Sequence, residues 1–352
     1  MPEKVLVKYF LAGGIAIIIV CCTLVLLAAA PTLAAPSLVT FTVDNKNDLL
    51  DGDTTDGVCT PGSCSLRAAI MQANKIIGHD VTILVPSGLY TLTHAPAGDD
   101  GDNSGDLNLY GPPSGNWIIN IVGAGAVTTI IDGNQLDRVL SVALTRTASI
   151  SGLTIRNGLP GAFQRGGGIY NLGTLSLLQN TLTGNRAYDG GAVYNNGNLS
   201  ISQSTLAQNN ASNYGGGMYN DKTITLTQSL VSTNTADFGG AILNARLATV
   251  MDSTLSGNDA GHDGGGIWNV TTLVVINSTL SGNNAGQNGG GIYNADLTTN
   301  VYNSTIALNQ AGVNEMLGGS GAGIYHNAVP SSSVVNLRNT LLAGNNLDNA
   351  PI

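Results

Sequence analysis

The sequence GGGIWN at residues 264–269, followed by NSTLSGN at residues 277–283, is the clearest copy of a phrase that the chain repeats. The glycine that opens the phrase recurs at intervals of 24 or 25 residues, and once of 32, at Gly166, Gly190, Gly215, Gly239, Gly264, Gly289 and Gly321. The asparagine that closes it recurs in step at Asn185, Asn209, Asn234, Asn258, Asn283, Asn309 and Asn345. A fixed period of this size is typical of stacked structural units.

Within each repeat the apolar residues alternate with polar ones, which is the spacing of a β-strand. Leu199, Ile201 and Leu206 lie among serine and glutamine, and no repeat shows ten residues of helical pattern. Each repeat holds about three short strands, and copies stack about 4.8 Å apart through parallel-strand hydrogen bonds. The sequence therefore predicts an all-β fold, a parallel β-helix, which is right-handed because parallel crossovers almost always are. The alternative is a low-complexity tail rich in glycine and asparagine, which lacks such strict alternation.

The isoleucine and the asparagine of the phrase share one face of the strand, because successive side chains point to opposite faces. If the isoleucine lies in the core, the asparagine also points inward, where stacked amides bond one another and the turn backbone. The predicted inward column is Asn171, Asn195, Asn220, Asn244, Asn269, Asn294 and Asn327. The paired glycines before each isoleucine suit a positive φ or a close backbone approach.

The residue between the isoleucine and the asparagine then points outward. It is aromatic in six copies, although aromatic residues make up only 5% of the chain. The column is Tyr170, Tyr194, Tyr219, Leu243, Trp268, Tyr293 and Tyr325, and its six aromatic members are the predicted ligand-binding residues. Two interpretations remain open: a ladder of stacked rings that stiffens the rod, and a flat, exposed platform that binds the apolar faces of sugars or a partner protein.

Residues 1–35 have the pattern of an export signal. Lys4 and Lys8 precede an apolar run from residue 9 to residue 30, and small residues near 34 offer a cleavage site. The run is also long enough to span a bilayer, so an uncleaved membrane anchor is the alternative. Either way we expect a secreted or cell-surface protein, with membrane contact only through this segment. The net charge of −9 disfavours a nucleic-acid partner.

Residues 36–80 are predicted to form a separate amino-terminal cap. A first strand falls at residues 41–43, and residues 65–76 read as an amphipathic helix. A helix placed before a stack of coils is suited to covering its first open edge. Cys59 and Cys64 lie just before the helix, and in an exported protein they favour a disulfide over two free thiols.

The loop DGDTTDG at residues 51–57 carries three closely spaced carboxylates. Asp51, Asp53 and Asp56 are hard oxygen ligands of the kind that calcium requires. The spacing departs from the EF-hand loop and no bidentate glutamate follows, so an acidic solvated loop is the other interpretation. The chain requires no cofactor on this reading, and calcium is the one candidate.

The stretch CSLRAAI at residues 64–70 resembles the CSLREA module of exported bacterial β-helix proteins. The later repeats resemble the GGAI and FxxN repeats of chlamydial polymorphic outer-membrane proteins, with leucine or isoleucine in place of phenylalanine. The resemblance implies a secreted or surface-exposed β-helix, a pectate-lyase-like solenoid with a short capping helix, and implies no particular reaction. Ala68 stands where the module has glutamate, so only the serine half of a capping box remains, at Ser65.

Irregular coils precede the regular repeats, which begin at about residue 160. Strands are predicted at residues 81–85, 89–93, 117–122, 128–131, 139–144 and 148–155, so that the β-helix covers residues 81–352. Residues 98–113 are rich in aspartate, asparagine, glycine and proline. They are predicted to form a loop that leaves the stack.

Parallel β-helices also host pectate lyases and related enzymes, which project acids and bases from one strand face. The best catalytic candidates here follow the inward asparagine on neighbouring coils and are expected to share one edge: Asp221, Lys222, Arg246 and Asp296. A solvated turn edge explains the same residues equally simply. The four histidines are scattered through the sequence and suggest no metal site, and the fold alone does not imply an enzyme.

Two functions from different classes follow from the sequence. The first is an adhesin-like binding or structural protein whose partner is an extracellular polysaccharide or a surface protein. The second is a polysaccharide lyase or glycoside hydrolase that acts on an acidic polysaccharide, a reaction that needs carboxylates placed for acid and base roles.

Overall fold

The computed structural model of the chain describes residues 38–96, 103–111, 117–312, 319–327 and 333–347. These residues form the predicted all-β parallel solenoid, and each strand pairs in parallel with its counterpart one repeat away. Ile169, Val193 and Met218, for example, lie side by side. The predicted export signal lies outside the described residues. Within them, no helix has the length and apolar character needed to cross a membrane.

The strands form four sheets, named A to D. Sheet A contains Leu38–Thr42, Asp80–Val85, Ile118–Gly123, Thr147–Ser151, Thr174–Leu178, Asn198–Ser202, Thr223–Thr227, Leu247–Met251, Thr272–Ile276, Thr298–Tyr302 and Val334–Arg338. Sheet B contains Gly88–Thr91, Thr129–Asp132, Thr154–Arg156, Thr181–Thr183, Thr205–Ala207, Leu230–Ser232, Thr254–Ser256, Thr279–Ser281, Thr305–Ala307 and Leu341–Ala343. Sheet C contains Leu107–Leu109, Leu140–Val142, Ile169–Asn171, Val193–Asn195, Met218–Asn220, Ile242–Asn244, Ile267–Asn269, Ile292–Asn294 and Ile324–His326. Sheet D contains Arg186–Asp189, Asn210–Tyr214, Thr235–Ala236, Asp259–Ala260, Asn284–Ala285, Gln310–Ala311 and Asn346–Leu347.

Each regular repeat visits the sheets in the order A, B, D, C, which makes four strands where the sequence predicted about three. The extra strand belongs to sheet D and shrinks to two residues in the later repeats, as at Thr235–Ala236. A strand of two residues is too short to show alternation of apolar and polar positions, so pattern reasoning missed it.

The amino-terminal coils depart from the predicted boundaries in two places. The segment 98–113 was predicted to leave the stack, but Leu107–Leu109 is a strand of sheet C that pairs with Leu140–Val142, and its residues are buried. The predicted strand 148–155 is two strands, because the chain turns between sheets A and B at Gly152, where φ is 65°.

One hydrophobic core runs from the amino-terminal helix through the coils. The helix spans Leu66–Lys75, and Leu66, Ala69, Ile70 and Ala73 belong to this core, as the amphipathic pattern predicted. The Ser65 hydroxyl accepts a hydrogen bond from the Ala68 amide at 3.0 Å. This is the remaining half of the capping box, and the helix begins at the predicted position.

The paired glycines of the phrase have two different tasks. The first has a positive φ, 70° at Gly264 and similar values in the other copies, which favours glycine over any L residue. The second lies against the backbone of the next coil. A Cβ at Gly240 would lie within 2.6 Å of the carbonyl oxygens of Gly265 and Asp259. The glycine pair therefore sets both the turn and the distance between coils.

The asparagine column of sheet C is fully buried, as predicted. Asn244 Nδ2 donates to Asn269 Oδ1 at 2.7 Å, and Asn269 Nδ2 donates to Asn294 Oδ1 at 2.9 Å. The prediction was wrong at the last member, because the strand register pairs Asn294 with His326 and not with Asn327. The closing asparagines form a second buried ladder of the same kind between sheets B and D, as in the bond from Asn258 to Asn283.

Candidate functional site

The outward column of sheet C begins with three stacked tyrosines. The ring centroids of Tyr170 and Tyr194 are 5.2 Å apart, those of Tyr194 and Tyr219 are 4.9 Å apart, and neighbouring planes differ by only 12° and 9°. Because the rings stack along the solenoid axis, their faces cover one another and Tyr194 is only 2% exposed. These rings form the stacked ladder, and a flat platform would need free ring faces that they do not have.

The ladder is interrupted at Leu243, which is 3% exposed and occupies the aromatic position of its coil. Trp268 on the next coil contacts Phe238 at a centroid distance of 4.6 Å and Tyr214 at 5.5 Å. Phe238 in turn stacks on His262 at 4.8 Å. An apolar aromatic cluster therefore replaces regular stacking in the middle of the face.

A second outward column, which sequence reasoning missed, lies beside the first. It consists of the residue immediately before the opening glycine of each repeat: Arg165, Asp189, Tyr214, Phe238, Asp263, Asn288 and Ser320. We call the two outward columns together with His262 the aromatic face. The position before the opening glycine is fixed in every repeat, so the sequence contains the signal that identifies this column.

Two arginines lie at the amino-terminal end of the aromatic face, and both are paired with aspartates: Arg138 Nε is 3.2 Å from Asp106 Oδ2, and Arg165 is paired with Asp189. The guanidinium of Arg138 lies over the Tyr170 ring at 5.1 Å, and that of Arg165 lies over the Tyr194 ring at 4.9 Å. Arg165 also donates from Nη1 to the Tyr194 hydroxyl at 2.9 Å, and its Nε lies 3.0 Å from Asp189 Oδ2. These contacts hold the two guanidinium groups against the Tyr170 and Tyr194 rings of the ladder.

Asp189 is the buried carboxylate that pairs with Arg165 at this end, as Asp106 and Asp137 pair with Arg138. Burial raises its pKa above the ordinary value, although Arg165 and a hydrogen bond from Asn213 Nδ2 at 3.2 Å act in the opposite direction. The side chain is covered by its neighbours and does not reach the surface. Its role in the site is to hold the Arg165 side chain in place.

The hydroxyls of Tyr194, Tyr219 and Tyr293 stay protonated at neutral pH. Burial raises the pKa of Tyr194 to about 12, and burial also raises the pKa values of Tyr219 and Tyr293. The negative charge of Asp221 adds to this effect at Tyr194 and Tyr219. A neutral phenol both donates and accepts hydrogen bonds, so the edge of the ladder is a row of two-way hydrogen-bonding groups.

The carboxy-terminal end of the face returns to stacking. Tyr293 and Tyr325 stack at 5.1 Å, and Trp268 meets Tyr293 edge-on at 6.1 Å. Trp268 Nε1 and His262 Nδ1 are buried and make no hydrogen bond within the described parts of the chain. The six predicted aromatic residues thus lie in one register column, divided by Leu243 into a tyrosine ladder and a carboxy-terminal group.

The predicted catalytic candidates lie on the turn between sheets C and A. Backbone bonds from Leu247 to Lys222 and from Thr272 to Arg246 place the two cations in register on successive coils, so the shared edge is present. Both are exposed, whereas Asp221 and Asp296 are half-buried. Within residues 117–312 none of the four forms an ion pair with another, and this spread arrangement is that of a solvated edge.

The carboxylates of the acidic loop accept hydrogen bonds from nearby backbone amides. Asp51 Oδ1 accepts from the Asp53 amide at 3.1 Å, Asp53 Oδ1 from the Thr55 amide at 2.9 Å, and Asp56 Oδ1 from the Val58 amide at 2.8 Å. No three histidine, cysteine or acidic side chains of the described residues come together as a metal site. The three aspartates therefore fit a calcium cage poorly, and calcium binding stays a prediction for titration.

The same loop is tied to the helix by other contacts. Cys59 and Cys64 form a disulfide. Asp48 pairs with Arg67 at 2.7 Å, and both side chains are buried. Gln72 Nε2 donates to Asp56 Oδ1 at 2.8 Å. These contacts give the amino-terminal loop a structural role at the end of the solenoid.

Comparison with protein-family models, with curated proteins and with solved structures found no match to this chain. The fold and the site define a class of protein: a parallel β-helix with one aromatic, hydroxyl-edged face and two ion-paired arginines at its amino-terminal end.

Proposed function

We propose that this chain is a secreted or cell-surface β-helix protein that binds an extended polysaccharide along its aromatic face. The observation that supports the proposal is the run of tyrosines on three successive coils, Tyr170, Tyr194 and Tyr219, whose ring centroids are 5.2 and 4.9 Å apart. A periodic row of hydrogen-bonding groups suits a periodic ligand, and the hydroxyls of a glycan repeat on a similar scale. Arg165 and Asp221 border the row with further polar groups.

The aromatic cluster supplies the apolar part of such a surface. Trp268 and Phe238 are both half-buried and packed together, so each presents an edge that is already fixed in position. Rigid aromatic groups lose little conformational freedom on binding, which favours affinity. We expect the sugar units to contact ring edges and hydroxyls along the ladder, and to make apolar contacts at the cluster.

The test is a glycan array probed with residues 36–352, followed by titration of the best ligand. The double variant Trp268→Ala with Tyr293→Ala should lose binding by at least about tenfold while keeping a cooperative thermal transition. The matched control is Tyr302→Ala, which removes a half-buried tyrosine from sheet A, away from the aromatic face. Undiminished binding by the double variant would show that the face is structural.

A surface protein as the partner is a separate outcome of the same experiment. In that case the array shows no glycan ligand, whereas the double variant loses adhesion to cells that the control variant keeps. The proposal of a polysaccharide ligand would then be wrong.

A polysaccharide lyase or glycoside hydrolase is the second candidate function. It is favoured only by the shared edge of Asp221, Lys222, Arg246 and Asp296. Release of unsaturated or shortened products from polyuronates, with and without calcium, would support it. Absence of products at high protein concentration would leave binding as the function.

A further inference from the structure

An exposed loop lies at the amino-terminal end of the aromatic face. Residues 159–164 join sheet B to the first regular repeat, and Phe163 at its tip is 79% exposed. The Phe163 ring meets Tyr188 edge-to-face at a centroid distance of 5.4 Å and an angle of 61°. The rest of the ring faces solvent, unlike the rings of the tyrosine ladder.

The backbone holds Phe163 in this exposed position under strain. The Gln164 amide donates to the Gly161 carbonyl at 3.0 Å, which closes a tight turn with Phe163 at its third position. There φ is 62°, a value that favours glycine or asparagine and penalises a bulky side chain. The same left-handed φ recurs at other turns of the solenoid, as at Leu308 with 57°, and at Phe163 it places an aromatic ring in solvent.

The turn is fixed to the aromatic face by Gln164. Its carbonyl oxygen accepts from the Tyr188 amide at 2.8 Å, and its side-chain oxygen accepts from Arg138 Nη2 at 3.0 Å. The loop therefore presents the Phe163 ring at a defined place beside Tyr188, and the ring is available without rearrangement.

Arg165, two residues further on, has one free edge. Its Nε is engaged by Asp189 and its Nη1 by the Tyr194 hydroxyl, but Nη2 makes no hydrogen bond to any residue that the structure describes. The side chain is 49% exposed. A half-exposed guanidinium that is held by two polar contacts suits a carboxylate or a sulfate.

We infer that Phe163, Tyr188 and Arg165 form a terminal subsite for a negatively charged sugar unit. The Phe163 ring covers the apolar face of the sugar, the Tyr188 side chain borders it, and Arg165 Nη2 binds the acidic substituent. The inference rests on the proposed polysaccharide function and deepens it: the ligand is an acidic glycan, bound with an acidic unit at the amino-terminal end of the face. Uronate and sulfate share this chemistry.

The test compares three hexasaccharides by calorimetry: an oligogalacturonate, a sulfated galactan fragment and a neutral galactan fragment. We expect at least one acidic ligand to bind about tenfold tighter than the neutral one, with a preference that declines as salt rises. The stronger of the two acidic ligands identifies the substituent as carboxylate or sulfate.

Two variants test which residues cause the preference for an acidic ligand. Phe163→Gly relieves the strained φ, so the melting temperature should stay equal or rise while affinity for the acidic ligand falls about tenfold. Arg165→Gln combined with Asp189→Asn removes both charges together, so that no buried carboxylate is left unpaired. This pair should abolish the acidic preference, so that acidic and neutral ligands bind with equal affinity. The control is Val127→Gly, an exposed apolar residue outside the face.

The outcomes separate the two proposals. Equal binding of acidic and neutral ligands, or variants that bind like the unaltered chain, would overturn the terminal subsite and leave the polysaccharide function standing. Absence of binding to all three ligands and to the glycan array would overturn both.

Discussion

Two neighbouring positions of the same three-residue strand follow different rules. The inward position of sheet C is asparagine without interruption from Asn171 to Asn294, whereas the outward position next to it changes to leucine at Leu243. A buried amide bonds the amides above and below it, so one replacement removes two buried amide–amide hydrogen bonds. The outward position has no such requirement, because Trp268 packs with Phe238 and Tyr214 where the ladder is interrupted.

This difference assigns separate roles to the two columns. The buried ladders and the glycine pairs set the coil spacing, and the aromatic face is built on that spacing. Substitutions in the buried asparagine column should therefore lower stability more than they lower ligand binding. Substitutions on the aromatic face should lower ligand binding more than stability. The predictions below test this contrast.

The largest loss of stability is expected at a glycine that sets the distance between coils, because both columns depend on that distance. Gly240→Ala places a Cβ within 2.6 Å of two carbonyl oxygens of the next coil, and backbone cannot move aside as a side chain can. We expect a loss of about 3 kcal/mol or more in the free energy of unfolding, measured by urea denaturation. Gly52→Ala, which meets no atom within 4 Å, is the control and should be nearly neutral. A similar small effect for both substitutions would contradict the close packing.

The second-largest loss of stability is expected from a substitution that disrupts only the inward asparagine column. Asn269→Leu leaves Asn244 Nδ2 and Asn294 Oδ1 without their buried partners. The expected cost is about 2–3 kcal/mol in the free energy of unfolding. Asn300→Leu makes the same change on the half-buried outer surface of sheet A and should cost less than about 1 kcal/mol. Equal costs for the two variants would mean that burial of the amide is not the cause.

A smaller change in stability is expected on the aromatic face. Tyr194→Phe removes the hydroxyl that accepts from Arg165 Nη1 but leaves the ring in the stack. We expect a loss of about 1 kcal/mol or less in stability, together with a loss of glycan affinity in calorimetry because the Arg165 side chain loses one of its anchors. If stability falls and affinity does not, the hydroxyl row serves the ladder and not the ligand.

The smallest expected effect is on the pH dependence of stability. Burial raises the pKa of Asp263 above 3.8, so the folded chain holds this proton more tightly than the unfolded chain. The resulting stability is complete below about pH 3.8 and is lost as the pH rises through the folded-state pKa. Asp263→Asn keeps an oxygen that can accept from Asn288, so it should raise the melting temperature at neutral pH. The gain in melting temperature should shrink toward pH 3. A gain that does not depend on pH would rule out the raised pKa of Asp263 as its cause.

Much of the fold could be predicted because it repeats. The period of 24 or 25 residues and the alternation around Leu199 and Ile201 dictate stacking and the inward face, and burial of the asparagine column follows from the same register. The strand Leu107–Leu109 was missed because a single irregular coil offers no period. Sheet D was missed because its strands are too short to alternate.

The site was only partly predictable for a related reason. Register places Tyr170 and Tyr194 outward, but whether their rings stack or lie flat depends on side-chain torsions that periodicity does not constrain. The second column was missed because its chemistry changes from Arg165 through Phe238 to Ser320. A column is easy to recognise when one residue type recurs, and this one is marked only by its position before glycine.

The most direct test of the polysaccharide function is the dependence of affinity on ligand length. The outward column from Tyr170 to Tyr325 spans six steps between coils, or roughly 29 Å at about 4.8 Å per step. Calorimetric titration with oligosaccharides of increasing length should show affinity that rises with each added sugar and levels off when the ligand spans the face. An affinity that is already maximal for a disaccharide, or no binding at any length, would contradict a ligand that lies along the solenoid.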